Sequence, residues 1–126
     1  WIGVNPNHVE INAAEEFDDP GSVYSFYKKL IAMRHNNATI ATGEWNLVAA
    51  DSEQVYSFTR TSGDDTILVI VNLTDRTAQV PAEVAQLLED GVGESQVLLS
   101  TYDAVHSVKS VARGELARWE GVVIQL

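Results

Sequence analysis

The feature that most narrows the possible folds is a change of hydrophobic period near residue 40. Before it, Val23, Phe26, Tyr27, Leu30 and Ile31 recur at three- and four-residue spacing, the stripe of an amphipathic helix. After it, apolar residues alternate with polar ones or run continuously in short segments broken by turn residues, as β-strands require. A helix and a strand bring different residues to one face, so no single element can satisfy both patterns. Two kinds of structure therefore follow one another, and the boundary is expected between residues 1–39 and 40–126.

Within the first part, Gly3, Asn5, Pro6 and Asn7 predict an irregular segment. Asn12 can cap a short helix, with Glu15 three positions on, that ends before Asp18. Asp19-Pro20 then combines an N-cap acceptor with a residue that has no amide to lose, and predicts a helix over 20–36. Arg34 and His35 suit the negative end of its dipole, and Asn36 or Asn37 is expected to terminate it in the left-handed conformation.

In the second part, 45–49 and 54–60 read as strands. The latter places Tyr56 and Phe58 on one face and Val55, Ser57 and Thr59 on the other. Residues 61–65 predict a hairpin loop. The run 66–72, Thr-Ile-Leu-Val-Ile-Val-Asn, has no alternation and predicts a central strand covered on both faces, the best core candidate. Pro81, Val84, Leu87 and Leu88 predict one or two helical turns closed by Gly91 and Gly93, and 96–100 resumes strand character. Between 102 and 114, Val105, Val108 and Val111 recur every three residues among β-branched and small residues, which reads as a weak strand or a loop. Residues 119–126 predict a last strand with Val122, Ile124 and Leu126 on one face.

Composition excludes several functions. The 126 residues suit one domain, or one domain with an appendage, and 45% hydrophobic residues supply a core. The formal charge is −10, and of eight Lys and Arg only Lys28 and Lys29 are adjacent, so neither nucleic acid nor an anionic membrane surface finds a basic patch. No apolar run reaches the roughly 18 residues of a membrane helix. Without cysteine there is no disulfide or thiolate metal site, and an acidic cytoplasmic protein is the plain expectation. The chain starts at Trp1 and is expected to be part of something longer.

Eighteen carboxylates invite a search for an acid and base pair. Asp18/Asp19 and Asp64/Asp65 are adjacent, but they fall at a helix start and in a hairpin loop, where Asp serves caps and turns. His8, His35 and His106 have none of the close spacings of metal ligands. No nucleophile elbow, phosphate loop or dinucleotide fingerprint is present. No catalytic, cofactor-binding or metal-ligating residue is therefore expected, and no cofactor. Trp45, Tyr56, Tyr102 and Trp119 can be imagined as a flat platform for sugar rings, but large aromatics are ordinarily core, and core is the expectation.

Three stretches together resemble the oligo-1,6-glucosidase and α-glucosidase group of the α-amylase superfamily of glycoside hydrolases. The loop Trp1-Ile2-Gly3-Val4-Asn5-Pro6-Asn7-His8 with Glu10-Ile11-Asn12 is similar to the segment after that group's last barrel strand, His8 standing where Tyr is more frequent. Asp19-Pro20 through Tyr27-Lys28-Lys29-Leu30-Ile31-Ala32-Met33-Arg34 resembles the last helix of the (β/α)₈ barrel, and Leu116 to Leu126 the final strand of the C-terminal domain. The resemblance implies a mainly β architecture: a C-terminal antiparallel β-sandwich preceded by the last barrel helix. It implies retaining hydrolysis of α-glucosidic bonds by an Asp nucleophile, a Glu acid/base and a stabilising Asp, all upstream, so none falls on a position here. The expected partner is the catalytic barrel of the same polypeptide. Without it, Val23, Tyr27, Leu30 and Ile31 are expected to leave an apolar patch that favours self-association. A sugar-binding module and a dimerisation module are the competing expectations.

Overall fold

The computed structural model describes residues 2–90 and 95–126; Trp1, Gly91 and Gly93, named above, lie outside them. The chain divides into two units, Trp1–Asn36 and Asn37–Leu126.

In the first unit, Pro6–Val9 forms one 3₁₀ turn, capped by the Asn5 side chain. Helix α1, Ala13–Asp18, starts where Asn12 Oδ1 accepts from the amides of Ala14 at 3.0 Å and Glu15 at 3.1 Å. Helix α2 spans Val23–Asn36 and begins three residues later than the Asp-Pro signal predicts. The reason is local. Asp19 Oδ1 accepts from Gly21 N at 2.8 Å, which spends that carboxylate on a turn rather than on the helix. Ser22 caps instead, its Oγ accepting from Ser25 N at 3.1 Å, and Glu16 Oε2 accepts from Tyr24 N at 3.1 Å.

Neither Asn36 nor Asn37 ends α2 in the left-handed conformation. Asn37 is extended, with φ −125°, and its side chain caps helix α3, Ala38–Thr42, through Ile40 N at 2.9 Å.

The second unit is built on a five-stranded antiparallel sheet in the order β1-β2-β3-β7-β5. Its strands are β1 Glu44–Val48, β2 Val55–Ser62, β3 Asp65–Asn72, β5 Gln96–Ser100 and β7 Gly121–Gln125. The predicted loop 61–65 shrinks to a two-residue turn, because Ser62 and Asp65 still pair and Gly63, at φ +61°, takes the conformation a tight hairpin needs at its first central position. Against one face lies a second layer. It holds the two-stranded sheet of β4, Ala78–Gln79, and β6, Glu115–Leu116, with helices α4, Ala82–Asp90, and α5, Ala104–Ala112. The core between the layers is Val55, Leu68, Ile70, Val122 and Ile124 from the large sheet, met by Ala78, Val84 and Leu116.

Helix α5 replaces the strand or loop expected over 102–114. Asp103 caps it through His106 N at 2.8 Å, and Gly114, at φ +70°, follows its end. The three-residue spacing of Val105, Val108 and Val111 was the valid signal, and β-branched composition the misleading one: Val105 and Val108 face solvent at 63% and 53% exposure, where packing does not penalise a weak helix former. Helix α4 is also longer than the one or two turns expected.

The central strand β3 is covered fully on one side only. Leu68, Ile70 and Asn72 are buried, whereas on the opposite side Ile67 is buried and Val69 and Val71 are half-buried. Helix α3 packs on β2 and β3, and its Thr39 hydroxyl bonds Asp65 at the Ile67 end of that face.

Candidate functional site

The outer face of the large sheet brings together Trp45, Tyr56 and Phe58. Strand alternation sends Val55, Ser57 and Thr59 into the core, and so turns Tyr56 and Phe58 outward. The choice of face goes to small side chains because the second layer sits on that side. Ser57, fully buried, donates from Oγ to Val48 O at 2.8 Å. Tyr56 is 42% and Trp45 47% exposed, which corrects the expectation that these aromatics are core.

Register then builds an apolar row across all five strands. Leu47 pairs with Phe58, Phe58 with Val69, Val69 with Val123, and Val123 with Leu99. Beside it, Tyr56 pairs with Val71 and Val71 with Gly121. Phe58 is the hub of the ring contacts, 6.3 Å from Trp45 and 5.7 Å from Tyr56 between centroids. No residue of the Leu47–Leu99 row is fully buried, although its inward counterparts Leu68, Ile70, Val122 and Ile124 are exposed by 3% at most.

The four-residue sugar platform is not assembled. Trp45 and Tyr56 meet through Phe58, while Tyr102 stacks on His106 at 4.8 Å and donates from its hydroxyl to Arg118 O at 2.9 Å. Trp119, 58% exposed, occupies a turn at φ +56°, its amide donating to Thr74 O at 3.0 Å.

The carboxylates and histidines are similarly dispersed. Asp19 holds its turn, Asp18 closes α1, and Asp64 is exposed in the hairpin turn. Asp65 does more than the solvated role expected of it: its two oxygens accept from Thr39 Oγ1 and Gln125 Nε2, joining α3 and β7 to the start of β3. His8 Nδ1 lies 2.9 Å from Asn5 O, and His35 is exposed in the last turn of α2. Among the described residues, no three His, Asp or Glu stand together in a way that could hold a metal ion.

Two buried polar residues escaped the sequence reading. Glu120, with no exposed surface, accepts from Ser107 Oγ at 2.8 Å and Ala117 N at 2.7 Å, and Ser107 in turn bonds Ser100. Asn72, also fully buried, donates from Nδ2 to Arg76 O at 2.7 Å and Ala117 O at 2.8 Å and accepts from Thr74 N at 2.9 Å. Both groups are enclosed by protein partners and closed to a substrate, so they fasten β5, α5 and the connection into β7 rather than perform chemistry. Some of their partners are near in sequence, Thr74 and Arg76 to Asn72 and Ala117 to Glu120, but burial also draws on partners up to 45 residues away, which no local pattern marks.

A helical unit is followed by a core-bearing antiparallel β unit, and comparison with known proteins identifies the class of enzyme in which this arrangement occurs. No protein-family model matches the chain. The oligo-1,6-glucosidase of Parageobacillus thermoglucosidasius is 33% identical across the whole of this chain, which covers 22% of that relative. The oligo-1,6-glucosidase of Bacillus cereus is 34% identical over 82% of this chain and 18% of its own length. Among solved structures, trehalose-6-phosphate hydrolase of Bacillus licheniformis matches 99% of this chain and 22% of its own, with a TM-score of 0.77 and 28% identity. A trehalulose synthase matches all of this chain and 22% of its own, with a TM-score of 0.75 and 30% identity. The fold is thus that of a portion of an α-amylase-family enzyme. Within that family the chain belongs to the oligo-1,6-glucosidase and α-glucosidase group, as a C-terminal portion.

Proposed function

We propose that this chain is the non-catalytic C-terminal portion of a retaining α-glucosidase acting on small oligosaccharides, and that it packs on and stabilises the catalytic barrel. The observation that carries the reading is the bare stripe of α2: Val23, Tyr27 and Ile31 are 65%, 60% and 54% exposed, and no residue of the helix is buried. A helix of this kind is stable in proteins chiefly through tertiary packing of its apolar face. In an α-amylase-family enzyme the layer that completes it is the rest of the barrel, and the catalytic carboxylates belong to that missing part. We assign the parent to the cytoplasm on the acidic, cysteine-free composition of this chain; recovery of the parent in a secreted or membrane fraction would overturn that assignment. The test of function is turnover of isomaltose and an aryl α-glucoside. The chain alone is expected to give none, and measurable hydrolysis by it sinks the reading.

A further inference from the structure

Trp119 occupies a position that its side chain does not suit. Glu120 N donates to Ala117 O at 3.1 Å, which closes a turn over residues 117–120, and Trp119 at φ +56° takes the third place in it. Glycine or asparagine ordinarily stands there, because a bulky residue in the left-handed region meets a steric penalty. The other described residues with positive φ are Ala49, Gly63 and Gly114, so Trp119 is the one large side chain among them. Burial does not offset the strain, since the residue stays 58% exposed. A strained residue that the core does not enclose points to function.

The fold braces this turn from inside. Ala117 N and Ser107 Oγ donate to the buried Glu120 carboxylate, Ser107 bonds Ser100, and Tyr102 N donates to Ser100 Oγ at 3.0 Å. Thr101 Oγ1 accepts from Gly121 N at 2.9 Å and donates to Trp119 O at 3.3 Å. The Tyr102 hydroxyl reaches Arg118 O at 2.9 Å, so the far end of that ring lies beside the peptide between Arg118 and Trp119, and His106 stacks on the ring at 4.8 Å. Tyr102 and the Trp119 turn are thereby set in place before any ligand arrives, which lowers the ordering cost of binding.

The chemistry around them fits a sugar. Thr101, Asp103, His106 and Arg118 are all exposed, so the two aromatic residues stand among hydrogen-bonding side chains, unlike the apolar row from Leu47 to Leu99. A pyranose asks for that pairing: an aromatic surface for its C–H face, and donors and acceptors at the rim for its hydroxyls.

We propose that Tyr102 and Trp119 form a binding site for an α-glucosyl oligosaccharide, with Trp119 as the stacking surface and His106 and Arg118 beside it to meet hydroxyls. The inference rests on the proposed function above, which supplies the class of sugar, and adds a site for it on this chain. The experiment titrates residues 1–126 with isomaltotriose and follows amide NMR spectra. Saturable shifts confined to 101–106 and 117–121 are expected, with a Kd on the order of 1 mM. Trp119→Asn puts a residue that tolerates positive φ into the turn, so it is expected to keep the melting temperature and to weaken binding at least about 10-fold. Trp45→Ala, on the outer sheet face, is expected to leave binding unchanged. No shift at millimolar sugar, shifts centred on Trp45 and Tyr56, or binding that Trp119→Asn leaves undiminished overturns the site while the proposed function stands. A Trp119→Asn variant that melts well below the wild type overturns it too, because the ring is then a packing element. Release of glucose during the titration sinks the proposed function, and this site with it.

Discussion

The two units of this chain differ in where their apolar residues end. Among the described residues between Asn37 and Leu126, nine hydrophobic ones are buried, including Ile67, Leu68, Ile70, Val84 and Leu116 with no exposed surface. Between residues 2 and 36, no hydrophobic residue is buried, and Ser22 is the one buried residue described there. Both stretches have the amphipathic patterning of folded protein. Only the second encloses its own core, since an antiparallel sheet brings distant strands together and sets a second layer against them, whereas a pair of helices and a turn cannot close around anything. The first unit thus carries regular secondary structure without a core of its own, and the second carries it around one.

The largest expected effect follows from cutting the chain between Asn36 and Asn37. Residues 37–126 should keep a cooperative thermal transition, while residues 1–36 should show the circular dichroism of a mostly unfolded peptide, because isolated helices shorter than about 12–15 residues are marginal in water. A cooperative melt of the 1–36 peptide would erase the distinction. Next, Ile70→Ala empties a fully enclosed site and should cost about 2–5 kcal/mol in urea denaturation. The equivalent change at 54%-exposed Ile31 should stay within about 0.5 kcal/mol, and equal losses at the two sites would contradict the contrast.

Smaller effects probe how each unit satisfies its polar groups. Glu120→Ala leaves the Ser107 hydroxyl and the Ala117 amide without their acceptor, and should destabilise the second unit by about 1–3 kcal/mol, measured by thermal denaturation. In the first unit, Ser22→Ala removes the acceptor for Ser25 N and should lower α2 stability by about 1 kcal/mol, read from the loss of helical signal. No change on Ser22→Ala would mean that Glu16, bonded to Tyr24 N, caps the helix on its own.

Much of this was legible from residues 1–126 alone. Short-range chemistry writes itself into neighbouring positions, so the Asn12 cap, the stripe of α2, the turn at Gly63 and the run of β3 could be read directly. The α5 helix was written too, in Asp103, Gly114 and the valine spacing, but β-branched composition pointed the other way. The candidate site was half legible. The bare α2 stripe was expected, whereas the row from Leu47 to Leu99 depends on the register of strands separated by dozens of residues.

Strand β2 shows where sequence stops and tertiary structure takes over. Its alternation determined that Tyr56 and Phe58 would share one face and Val55, Ser57 and Thr59 the other. It could not say which face is the core, because a period of two is symmetric and both faces carry apolar residues. The second layer of β4, β6, α4 and α5 decided it by closing on the small-residue side, which left the aromatics outward. The same holds for Glu120 and Asn72. A carboxylate or an amide in a sequence is polar wherever it stands, and only the fold supplies the distant donors and acceptors that allow it to be buried.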